Sequence, residues 1–101
     1  MNLSPLVRDF MEKGRSESCP VIDMHQHMGH YQGIYFPNPS PEDMIRTMDR
    51  CGVRMGVFCS HPALTDTNAN VEMADVVKKY FNRFRAYWSI NPQSQRGQRR
   101  R

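Results

Sequence analysis

Ser40-Pro41-Glu42-Asp43-Met44-Ile45-Arg46-Thr47-Met48-Asp49-Arg50-Cys51-Gly52, running straight into Val53-Arg54-Met55-Gly56-Val57-Phe58-Cys59-Ser60, is the stretch that decides the fold. Ser40 is the residue type of a helix N-cap, and Pro41 suits the first helical position because its missing N–H is not needed there. Asp43, three residues on, completes a capping-box-like pair, and its charge complements the positive end of the helix dipole. Met44, Ile45, Met48 and Cys51 recur at helical spacing as one apolar stripe, with Arg46 and Arg50 facing water. Gly52 is a natural residue to leave the helix in a left-handed conformation. At Val53 the period changes. Val53, Met55, Val57, Phe58 and Cys59 form a nearly continuous apolar run, which predicts a strand covered on both faces, as in a parallel sheet. Ser60-His61-Pro62 ends it.

The neighbouring segments repeat this alternation. Downstream, Asp66 to Asn70 is polar, and Asn70 is the predicted N-cap of a second helix. Val71, Ala74, Val77, Phe81 and the stem of Lys78 mark the apolar side of that helix. Glu72 and Asp75 lie early in it and Lys78 and Lys79 late, which matches the dipole, and Asn82 stops it. Arg85 to Ile90 is the predicted third strand, closed by Asn91-Pro92. Upstream, Val21 to His27 is a strand preceded by Pro20, and Gly29 to Pro39 is a loop crowded with glycine and proline. Ser4-Pro5 opens a short leading helix with Leu6, Val7, Phe10 and Met11 on one stripe, ended by Gly14. The body is therefore β-α-β-α-β, the pattern of a parallel α/β sheet. Three regions follow: a helix and connector over 1–18, the α/β unit over 19–92, and a polar basic tail over 93–101.

The chain is long enough for one small domain. Its formal charge is +4, but the first 95 residues hold ten Lys/Arg and ten Asp/Glu, so the excess comes from Arg96, Arg99, Arg100 and Arg101. A tail with no apolar side chain and no interleaved aromatics describes neither a folded basic surface nor a single-strand binder. A third helix is what the pattern calls for at this point. The tail therefore reads as the non-native end of an interrupted frame in preference to an anion-binding arm. The three cysteines (Cys19, Cys51, Cys59) have no metal-type or redox-type spacing, and Cys51 and Cys59 are expected as buried free thiols in a reducing, cytoplasmic compartment. Met1 to Phe10 shows no apolar run of the signal-peptide type, and no stretch approaches the ~18 apolar residues of a membrane span.

The chemistry is concentrated in Val21-Ile22-Asp23-Met24-His25-Gln26-His27-Met28-Gly29. Side chains alternate along a strand, so Asp23, His25 and His27 are expected on one face and Ile22, Met24 and Gln26 on the other. Two imidazoles converging from one strand are a sound way to hold a divalent metal, and neutral imidazole suits zinc. Asp23 is placed to bond a ligand histidine or its backbone from behind. The loop that follows carries His30, Tyr31, Tyr35 and Phe36, which either line a substrate pocket or cover the core's end. His61, just beyond the second strand, lies at the same end of the sheet as the histidine pair and is the stronger candidate of the two outlying histidines.

These residues carry a resemblance. Ile22 to Gly29 resembles the Asp-x-His-x-His opening strand of the amidohydrolase superfamily, nearest to its amidohydrolase-related (amidohydrolase 2) branch. That branch includes aminocarboxymuconate-semialdehyde decarboxylase-like and resorcylate decarboxylase-like enzymes and some lactone hydrolases. Met48 to Val57 is similar to the passage from helix 1 to strand 2 in that family, and Lys79 to Pro92 to the passage from helix 2 to strand 3. The resemblance spans residues 19–92.

It implies a (β/α)8 TIM barrel with a divalent metal, zinc being the expected cation, at the C-terminal ends of the strands. His25 and His27 map onto the two first-strand ligands. The reaction implied is metal-dependent hydrolysis or non-oxidative decarboxylation of a small carboxylate or lactone. The family's remaining ligands lie on later strands, and a whole barrel takes ~200 residues or more. The expectation is thus the N-terminal part of such an enzyme, inactive alone and prone to associate through open sheet edges. Two other readings stand beside it. His25-x-His27-x-x-His30 approaches the signature of metallo-β-lactamase-like hydrolases, with Gly29 where that motif has aspartate. A small non-enzymatic binding protein using its basic tail is the other.

Overall fold

The computed structural model describes residues 2–66 and 68–90. Its elements run α1 (Pro5–Lys13), β1 (Val21–Met28), α2 (Pro41–Cys51), β2 (Val53–Ser60), a 3-10 turn (Pro62–Leu64), α3 (Ala69–Lys79) and β3 (Phe84–Ala86). The strands form one parallel sheet in the order β1-β2-β3. The α/β pattern is therefore present, as an open three-stranded sheet with a helix in each connection. Among the described residues no helix is long and apolar enough to cross a membrane. Asn91-Pro92, the predicted end of the third strand, and the basic tail lie outside the described residues.

The capping chemistry places both early helices. The Ser4 hydroxyl accepts from the Val7 amide and the Ser40 hydroxyl from the Asp43 amide, while Ser40 Oγ donates to the Asp43 carboxylate at 2.8 Å. Gly14 and Gly52 leave their helices at φ +71° and +73°. The leading helix α1 has no buried residue, and its stripe of Leu6, Val7, Phe10 and Met11 is exposed. It is tied on through the connector. Asp9 accepts from the amides of Glu17 and Ser18, and those bonds hold its carboxyl below the usual range.

One core serves all three strands and both connecting helices. Met28, Phe58 and Phe84 from β1, β2 and β3 meet Met44 and Met48 of α2 and Met73 of α3. Both helices therefore cover the same sheet face, as right-handed crossovers between sequential strands require. Phe58 and Phe84 are fully buried, edge to face with centroids 5.5 Å apart. Arg83 braces the far end, donating to the carbonyls of Val53 and Arg54 and to the Asp49 carboxylate at 2.6 Å.

Several expectations need correction. Asn70 is not an N-cap: the helix begins at Ala69, after Asn68, and Asn70 is fully buried in the first turn. Its amide donates to the Ser89 carbonyl at 2.8 Å and accepts from the Ser89 amide at 3.0 Å, holding the chain beyond β3 against α3. The covered side of α3 consequently runs Ala69, Met73, Val76, Val77 and Tyr80, while Val71, Ala74 and Phe81 are exposed. Phe81 is shielded instead by the Arg85 guanidinium, 3.7 Å from its ring centre. β3 is three residues long, starting at Phe84, and Trp88 and Ile90 lie exposed beyond it. The thiols are not buried either. Cys51 is exposed, because the covered stripe of α2 stops one turn earlier at Met48, and Cys59 is half-buried on the sheet face opposite the core.

Candidate metal centre

The site is built where β1 and β2 end. Over its last three residues β1 is in register with β2: Gln26 opposite Phe58, His27 opposite Cys59, Met28 opposite Ser60. Met28 and Phe58 point into the core, so strand alternation sends His27 and Cys59 to the other face. Among the described residues that face supplies none of the fully buried core side chains. His25 joins His27 there, with the two Nε2 atoms 3.1 Å apart and the rings edge to face.

Asp23 does not share this face as strict alternation predicts. Between Asp23 and Gln26 the strand advances three residues while β2 advances two, from Gly56 to Phe58. This extra residue is a bulge, and it shifts the phase of the side chains. The Asp23 carboxylate accepts from the Gln26 side-chain amide at 3.3 Å and from the backbone amide of His25 at 3.0 Å. It thus grips the bulged backbone that carries His25, and among the described residues it makes no hydrogen bond to either imidazole. Gln26 lies flat over Gly56, where a Cβ would fall 1.8 Å from its Oε1. That Oε1 is buried without a hydrogen-bond partner among the described residues.

His61 completes the cluster. It is 4% exposed, and its ring stacks on His27 with centroids 4.8 Å apart and planes 13° from parallel. Its Nδ1 lies 2.9 Å from the Gly29 carbonyl and its backbone amide donates to Met28 O at 2.7 Å. A carbonyl only accepts, so Nδ1 carries the proton. Phe36 meets the same ring edge-on at 5.4 Å, and Tyr31 lies at 6.2 Å. Partial burial, then the neighbouring His61 and His25, depress the pKa of His27 and favour its neutral, metal-binding form.

The loop residues divide sharply. Tyr31 and Phe36 pack toward the cluster, whereas Tyr35 is 92% exposed and His30 is exposed and takes no part in it. Phe36 was indistinguishable by sequence from the loop's other rings. Beside His27 lies a mostly apolar cleft of about 330 Å³ between the loop, β1 and α2, lined by Gln26, His27, Phe36, Pro37, Met44 and Met48. It is of a size to take a small ligand.

The donors suit a late first-row divalent cation. Two metal–nitrogen bonds of about 2.0–2.1 Å meeting near 100° span the observed Nε2–Nε2 separation, and imidazole is a zinc ligand. The described residues contain no group of three or more His, Cys, Asp or Glu side chains arranged to hold a metal. His25 and His27 are a pair, not a complete set. No protein-family model matches the chain, and neither a curated protein nor a solved structure does.

Proposed function

We propose that this chain supplies the first part of a divalent metal centre in an amidohydrolase-type barrel enzyme, a hydrolase or a non-oxidative decarboxylase. The observation that carries the reading is the pair of imidazole Nε2 atoms, 3.1 Å apart, at the C-terminal end of a parallel strand and on the face the helices leave bare. Ligand sites in parallel α/β folds gather at the C-terminal ends of the strands. The sheet supports the same reading. Sequential strand order with both connecting helices on one face is the arrangement of a (β/α)8 barrel, whereas a doubly wound sheet reverses its order and has helices on both faces.

His25 and His27 would hold the metal, with zinc the cation that best suits the donors. When bound, it would supply either an activated water or a polarised substrate oxygen. Asp23 fixes the backbone of His25, and the lowered pKa of His27 favours the neutral imidazole that binds a metal. The cleft beside His27 would accept a small substrate, for which the resemblance suggests a carboxylate or a lactone. The further ligands would come from outside the described residues. Exposed Ile22 and Met24 on β1, and the outer edges of β1 and β3, are the surfaces on which the rest of a barrel would close.

The test is a Zn2+ titration of the purified chain against a His25→Ala, His27→Ala double variant. The expected result is binding by the parent that the double variant loses. Equal binding by both would remove the histidine pair from the reading. Metal-dependent turnover by the isolated 101-residue monomer would show instead that the site is already complete.

A further inference from the structure

We propose that His61 is a positioning residue for His27, its buried ring acting as a fixed plate against which the His27 imidazole is oriented. The inference rests on the metal reading above and deepens it.

A metal-binding histidine is ordinarily oriented by donating its other ring N–H to a carboxylate, a carbonyl or water. Among the described residues no carboxylate or carbonyl orients the His27 ring in this way. Among the described residues its only hydrogen-bonding contact is Nε2 to Nε2 of His25, and Asp23, the carboxylate in the motif, is occupied by the His25 amide and by Gln26. The second torsion of an imidazole side chain is broad, and His27 is exposed, so its ring would otherwise sample many planes. The stack on His61 removes that freedom.

His61 can serve because its own ring is held independently. The Gly29 carbonyl anchors Nδ1, the Met28 carbonyl anchors the backbone, and Phe36 closes one edge. The anchors come from the two residues immediately after His27. The plate is therefore fixed to the same strand end as the ring it orients. Rings 13° from parallel with centroids 4.8 Å apart lie in the range of offset stacking, which constrains the ring plane without consuming a nitrogen.

Two variants of the full chain separate the stack from the anchor. His61→Phe keeps a ring against His27 and loses the bond to Gly29. His61→Asn keeps a donor for Gly29 and loses the ring. Zn2+ affinity is measured by calorimetry, and the His27 ring protons are followed by NMR in the metal-free protein. The expected result for His61→Asn is a loss of roughly tenfold to a hundredfold in Zn2+ affinity, the range for residues that orient metal ligands. The ring-current displacement of the His27 protons should disappear in the same variant. His61→Phe should stay near the parent in both readouts. Parent-like zinc binding by His61→Asn, or His27 resonances unchanged in it, overturns the proposal. So does equal loss of affinity in both variants with the His27 resonances intact, which would mark a purely structural role. A parent chain that binds no zinc would refute the metal reading, and the metal-free spectra would still decide whether His61 orients His27.

Discussion

Gly29→Ala is the most informative single change, because the backbone at Gly29 joins the end of β1 to the histidine cluster. Gly29 sits at φ +93°, and a Cβ there would fall 2.7 Å from Pro62 Cδ and 3.2 Å from Pro62 Cγ. A left-handed conformation costs a residue with a Cβ about 1–2 kcal/mol. Pro62 is a closed ring beside the buried His61 and cannot swing aside as a long side chain would, so overpacking adds about 1–3 kcal/mol. The expected loss is therefore about 2–5 kcal/mol. Gly14→Ala is the control, since Gly14 is also left-handed at φ +71° but has no atom within 4 Å of the added carbon. It should lose only the conformational part, about 1–2 kcal/mol. With a urea dependence of about 1–2 kcal/mol per molar for a domain of this size, Gly29→Ala should lower the unfolding midpoint by about 1–5 M and clearly further than Gly14→Ala. Equal losses in the two variants would refute the tight seating of Pro62 on Gly29, and with it the rigidity ascribed to the cluster. Because Gly29 O also anchors His61, the His27 ring protons should shift in Gly29→Ala and not in Gly14→Ala.

Asn70→Ala should leave both backbone groups of Ser89 without their side-chain partner, at a cost of about 1–3 kcal/mol, and hydrogen exchange at the Ser89 amide should accelerate. Retained protection at Ser89 would show that other contacts hold this segment. Glu42 has its carboxyl held below the usual range, first by the Tyr80 hydroxyl donating at 2.7 Å. The unfolded chain therefore binds this proton more readily than the folded one, so the stabilisation is present above the unfolded value near 4.5 and is lost as pH falls through the folded value. Tyr80→Phe should lose this contribution above about pH 4.5 and converge with the parent as pH falls, so that its acid limb is shallower, and an unchanged limb would refute the assignment.

The elements that could be read directly were those whose determinants are local. Ser40, Pro41, Asp43 and Gly52 bound α2 with no help from the rest of the chain, because caps and left-handed turns satisfy backbone groups within a few residues. The apolar run from Val53 to Cys59 marked β2 and a parallel sheet, and the histidines two apart in β1 marked the candidate site. Periodicity could not choose between competing stripes on α3. Val71 and Phe81 are as apolar as Val76 and Val77, and only docking on Phe58 and Phe84 selects the side that is covered.

By itself, then, the sequence determined the β-α-β-α-β order and brought His25 and His27 together, since alternation over two residues survives almost any strand. What Asp23 does was decided by the pairing of β1 with β2. A bulge is a mismatch between two strands, and neither strand encodes it alone. The placing of His61 against His27 was likewise tertiary. The two residues are 34 positions apart, and they meet because parallel pairing brings Met28 and Ser60 side by side at the end of the sheet.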